Sequence, residues 1–243
     1  MQRQLKASLY YLSTDAKYNL TYFWSILISV LLLTIIFDVI FSGDGVISFN
    51  FSFAIYIFVA IMGYVTIKNT IPYIIKMGST RKNIFLAMGI YFIGIATLNA
   101  LLANTIQFIV TLFYKLFGNR TVLNKAMFTV SDGTESINFN HIAFFIQDTW
   151  LTRVIIDIAI SLFLISVMYF IGLIFYRFGF VGGFLFLGGL MLTFIFGMSE
   201  GWLLNLIIII FKDFSILFFY QLVLIALVVY LLSYLILRRL PIS

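Results

Sequence analysis

The chain has 243 residues, of which 63% are hydrophobic and only 10% charged, with a formal net charge of +6. A soluble domain carries about 25% charged residues, so this composition, with a mean hydropathy of +1.13, excludes a soluble globular protein. It predicts one all-α, polytopic membrane domain over 1–243, and the absence of cysteine excludes a disulfide framework and thiol chemistry.

Residues 1–21 carry Arg3, Lys6 and Lys17 among Leu5, Leu9, Leu12 and Ala16, whose spacing of four, three and four marks one face of a helix. This predicts an amphipathic interfacial helix with Tyr10 and Tyr11 at headgroup level. A cleaved leader would need an apolar core near its start. About 20 apolar residues cross a bilayer, and six spans are predicted at 22–42, 50–72, 84–114, 154–176, 179–198 and 215–237. A basic hinge, 76–83, separates the second and third spans. The polar segment 115–150 follows the third. The apolar run 202–211, within 200–213, is too short for a crossing and reads as a re-entrant stretch before the last span, tolerated where protein covers its backbone.

Basic residues orient the chain. With both termini on the cytoplasmic side, the inner segments hold Arg3, Lys6, Lys17, Lys68, Lys76, Arg81, Lys82, Arg177, Arg238 and Arg239. Of the acidic residues only Asp15 joins them. The hinge is therefore cytoplasmic and 115–150 extracellular.

No catalytic constellation is legible. The single histidine, His141, has no neighbouring ligands of the kind a metal site needs. There is no phosphate-binding loop, so the chain is not expected to be an enzyme or to carry a cofactor. Asp38 and Asp157 are the only acidic residues within spans, and Arg153, four positions before Asp157, supplies a local helix pair for it. The third span carries a small and polar stripe, Thr97, Ala100, Asn104, Gln107 and Thr111, at steps of three and four. Such a stripe faces another helix, a translocation path or a dimer partner. Glycines 179, 182, 183, 188, 189 and 197 mark close packing or a sliding surface in the fifth span. Asn119, Arg120 and Thr121 match a glycosylation acceptor, on which no glycan is expected.

This layout resembles that of a small ABC-2 type permease, the membrane subunit of a type V ABC exporter. The local likeness lies in Met77, Gly78, Ser79, Thr80, Arg81, Lys82 and Asn83, a glycine and small polar residues followed by Arg-Lys leading into an apolar helix. In that family the corresponding stretch is a coupling helix seated on the ATPase, and the N-terminal helix touches the same subunit. The resemblance therefore implies ATPase docking through residues 77–83 together with Arg3, Lys6 and Tyr10. It also implies a separate ABC-type ATPase that holds ATP and Mg, a second permease (a homodimer or a related chain), surrounding membrane lipid and no nucleic acid. The location implied is a bacterial cell membrane. The small permeases most similar in composition export amphipathic peptides of the bacteriocin or phenol-soluble modulin kind. The competing reading is a membrane immunity or sensor protein that binds a toxin or peptide without transporting it.

Overall fold

The computed structural model of the chain describes residues 2–40, 51–117, 129–132, 135–138, 149–205 and 216–239. Among the described residues, five helices are long and apolar enough to cross a membrane. They are α1 (Gln2–Ile40), α2 (Phe51–Lys76), α3 (Arg81–Phe117), α4 (Trp150–Ser199) and α5 (Ile216–Arg238).

The separate interfacial helix over 1–21 is corrected. α1 runs unbroken for 39 residues, about 58 Å at 1.5 Å per residue. Neither glycine nor proline interrupts it. Across the predicted join, the Thr21 and Ser25 hydroxyls donate to the carbonyls of Lys17 and Thr21, each at 2.7 Å. The predicted apolar face is the one that packs: Leu12 and Ala16 are buried, and Leu5 and Leu9 lie against the core.

Side-chain registers define the directions of the helices. α1 is antiparallel to α2, with Tyr11 stacked on Tyr73 at 4.5 Å and Phe23 on Phe58 at 4.0 Å. It is parallel to α3, bonding Asn83 through Gln4 and Asn99 through Trp24. The first half of α4 is parallel to α2, from Tyr56 and Asp157 at one end to Ile67 and Gly172 further along. Ile67, Ile71, Ile84, Met88, Tyr169 and Leu173 fill the interior. In lipid, such a core is held by close packing and interhelical hydrogen bonds rather than by transfer from water. At Gly63 the approach is to backbone, because a Cβ there would lie 2.6 Å from the Ile165 carbonyl oxygen.

α4 is 50 residues long and starts at a capping box, in which Thr149 Oγ1 accepts from Thr152 N and Thr152 Oγ1 from Thr149 N, each at 3.3 Å. Gly179, at φ +71° and ψ −176°, breaks it. The ring centroids of Phe170 and Phe186 are 6.3 Å apart, although 16 positions of continuous helix would separate them by about 24 Å. The chain thus folds back sharply at Gly179. Within the fold-back, Gly183 sits against the Phe175 ring, whereas nothing lies within 4 Å of a Cβ at Gly188 or Gly189. The first half of α4 is parallel to α5, since Phe219 packs on Ile156 and Ala159 while the Tyr230 ring lies 6.0 Å from that of Tyr169.

The described elements are helices, as expected, save for one short hairpin between α3 and α4. β1 (Thr129–Asp132) and β2 (Glu135–Asn138) form an antiparallel hairpin, with Asp132 opposite Glu135 and Thr129 opposite Asn138. The rest of 115–150 beyond α3, including Asn119 and His141, lies outside the described residues up to Thr149, as do 206–213 of the predicted re-entrant stretch. Within 200–213, residues 202–205 form a short helical turn, and Gly197 packs against Trp202 and Leu203.

Candidate functional site

The basic hinge is a tight interhelical turn, not the coupling helix predicted over 76–83. α2 continues to Lys76, and α3 begins at Arg81. Between them Gly78 takes φ +78°. Its N–H donates to Ile75 O at 2.9 Å, and Ser79 N–H donates to Ile74 O at 3.3 Å. This pair of bonds is a Schellman closure of α2, which needs a left-handed residue at the glycine. Thr80 then caps α3, its Oγ1 accepting from Asn83 N at 3.4 Å. A stop signal directly followed by a start signal leaves no room for a helix of its own. Gly78→Ala is expected to cost about 1 kcal/mol from the left-handed backbone alone, because nothing lies within 4 Å of the added Cβ. Thermal unfolding of the detergent-purified chain measures this, and Gly78→Asn should lose less.

The turn is tied to two further helices. Gln4 Nε2 donates to Gly78 O at 3.3 Å, Asn83 Nδ2 donates to Gln4 Oε1 at 2.9 Å, and the Ser8 and Ser79 hydroxyls meet at 3.0 Å. Arg81 donates to the carbonyl oxygen of Arg238 at the end of α5, where a cation also complements the helix dipole. Of the predicted docking residues, the structure therefore employs the side chains of Ser79, Thr80, Arg81 and Asn83 and the carbonyl of Gly78 internally, and Asn83 is 1% exposed. Met77, Gly78, Thr80 and Lys82 remain exposed, as do Lys76 and, on α1, Arg3, Lys6 and Tyr10. Gln4 and Ser8, which hold the arrangement together, form an i, i+4 polar pair on α1 that the sequence reading passed over.

The predicted stripe on α3 divides. Ala100 and Asn104 are buried. Thr97 is half-buried, and its hydroxyl is satisfied within its own helix by the carbonyls of Ile93 and Gly94. Gln107 is half-buried, and the side chain of Thr111 lies outside the described residues. Asn104 belongs to a cluster from three helices. Its Nδ2 donates to Asp157 Oδ2 at 2.6 Å, and Tyr56 OH donates to Asp157 Oδ1 at 2.5 Å. Beyond the local pair expected with Arg153, partners from α2 and α3 thus reach Asp157. A second buried bond runs from Trp24 Nε1 to Asn99 Oδ1 at 3.0 Å. Tyr56 and Asn99 were missed because each lies among apolar neighbours with no spacing to mark it.

Among the described residues no group of three or more His, Cys, Asp or Glu could hold a metal ion. Compared with family models, curated proteins and solved structures, the chain matches none.

Proposed function

We propose that the chain is the membrane-spanning subunit of an ATP-driven ABC exporter, working as a pair of permeases with a separate ABC-type ATPase. One observation carries the reading. The turn between α2 and α3 holds Lys76, Met77, Thr80 and Lys82 exposed at one end of the bundle, while hydrogen bonds beneath it reach α1 and α5. A surface of this kind can take a push from a soluble partner and pass it to four helices. The basic residues of that end, Arg3, Lys6, Arg238 and Arg239 included, fit a cytoplasmic side with both termini inside a bacterial cell.

The fold-back at Gly179 supports a count of six crossings. The first half of α4 and α5 run in the same direction, so the chain between them must return. The segment 180–199 supplies about 30 Å of helix, the thickness of a bilayer core. An apolar interior with few charges suits an amphipathic or hydrophobic peptide as cargo.

Lys76→Glu with Lys82→Glu is the test, because both side chains are exposed whereas Arg81 is engaged with α5. The double charge reversal is expected to weaken co-purification of the cognate ABC-type ATPase at least tenfold, about 1.4 kcal/mol, with unchanged thermal unfolding. Equal recovery of the ATPase with the wild type and the variant would remove the docking role. Toxin protection without ATP-dependent efflux would favour the immunity reading instead.

A further inference from the structure

We infer that Asp157 is a proton-binding site, loaded through the hydroxyls of Ser52 and Tyr56 from the water at the end of the bundle opposite the α2–α3 turn. The inference rests on the chain spanning a membrane and is independent of the exporter reading.

Asp157 is the one acidic residue in the sequence of α2, α3, α4 and α5. An ionisable side chain inside a span is costly, and where it is kept it marks a proton or ion path. An amide could bond the same neighbours without carrying a charge. The two carboxyl oxygens have different partners. Asn104 Nδ2 donates to Oδ2 at 2.6 Å, and Tyr56 Oη donates to Oδ1 at 2.5 Å. The amide is fixed as a donor, whereas a hydroxyl both donates and accepts and so can pass a proton on. Ser52, one turn earlier on α2 and half-buried, bonds to the Tyr56 hydroxyl. Since α2 starts at Phe51, these hydroxyls form a chain from the end of the helix to the carboxylate.

Loading follows that chain. A proton from water goes to Ser52 Oγ, the Ser52 proton to Tyr56 Oη, and the Tyr56 proton to Asp157 Oδ1. The carboxylate loses its negative charge, and its new O–H donates back to Tyr56. Oδ2 remains the carbonyl acceptor for Asn104, so α2, α3 and α4 stay joined in both states. What changes is the charge that Asp157 presents to Arg153, one turn before it on α4. Among the described residues, Tyr56 and Arg153 are the titratable or charged groups that face it. From α5, Phe219 and Val223 pack on the neighbouring Ile156 and Ala159.

The test is infrared difference spectroscopy of the full chain in detergent, which reads the C=O stretch of a protonated carboxylic acid. Acidification from about pH 8 to about pH 5, the physiological span, should raise such a band in the wild type that Asp157→Asn lacks. Tyr56→Phe should keep the band but move its frequency, because the phenol no longer bonds to the carboxyl. That shift assigns the band even where Asp157→Asn does not fold. After a rapid pH jump, the band should appear about tenfold or more slowly in Tyr56→Phe and in Ser52→Ala, a change that a purely structural contact would not produce. A wild type with no such band across this span would make Asp157 a permanent ion partner of Arg153 and overturn the assignment. So would a band that survives in Asp157→Asn, or one that appears at the wild-type rate in both hydroxyl variants. Loss of ATPase docking in the Lys76 and Lys82 variant would leave all of these results unchanged.

Discussion

Asn104→Leu is expected to lower the stability of the helical bundle by about 2 kcal/mol, the cost of leaving a buried polar group without its partner. Asn104 is 3% exposed, and its amide donates a hydrogen bond to the Asp157 carboxyl, as the Tyr56 hydroxyl does from α2. The same substitution made with Asp157→Leu should cost less than it does alone, since replacing both partners by apolar groups can be nearly neutral. A double-mutant cycle on unfolding of the purified chain in detergent reads the coupling directly. A coupling of zero would mean that the two side chains only lie side by side. Hydrogen bonds between membrane helices average about 0.6 kcal/mol, so a coupling well above that value would mark the carboxyl, rather than an ordinary polar contact, as the source.

Gly63→Leu should cost more, about 3 kcal/mol, at the upper end of overpacking penalties. The added Cβ would lie 2.6 Å from the Ile165 carbonyl oxygen and 3.2 Å from its Cα. Both atoms are backbone, so no rotamer change relieves the clash, and α2 must move away from α4. Gly94→Leu is the internal control, with open space at its Cβ. Comparing the unfolding midpoints of the two variants separates close packing from the general effect of replacing a helical glycine, which by itself favours the helix by about 0.5–1 kcal/mol. Equal behaviour of the two would remove Gly63 as a contact point.

The apolar spans were legible because a bilayer sets a length and a composition that a single sequence displays directly. The packing face of α1 was legible for a similar reason, as Leu5, Leu9, Leu12 and Ala16 repeat at the period of a helix. The boundary at 21/22 was misread because polarity changes there while the backbone has no cause to break. At the hinge, Gly78 and Thr80 carry the physical signals of a helix end and a helix start, and a functional expectation of a coupling helix displaced them. Asp157 shows where local reading fails. Arg153 is four positions away and visible, whereas Tyr56 and Asn104 reach the carboxyl from 101 and 53 positions away. Only the three-helix register brings them together. Gly179 was recognised as part of a glycine-rich span, but its left-handed backbone, and so its role as the point of reversal, depends on the chain that folds back after it.

The bond from Arg81 to the Arg238 carbonyl at the end of α5 has a mechanical consequence. It closes a loop from the third helix to the final one, while Gln4 and Ser8 close another from the first helix to the same turn. Four helices are thereby knotted at one end. Torque applied at that end arrives as a tilt of the whole bundle, because no single helix can be levered out on its own. Toward the opposite end, the Asp157 carboxyl joins α2, α3 and the first half of α4, so the same tilt is handed there to a second, different set of helices.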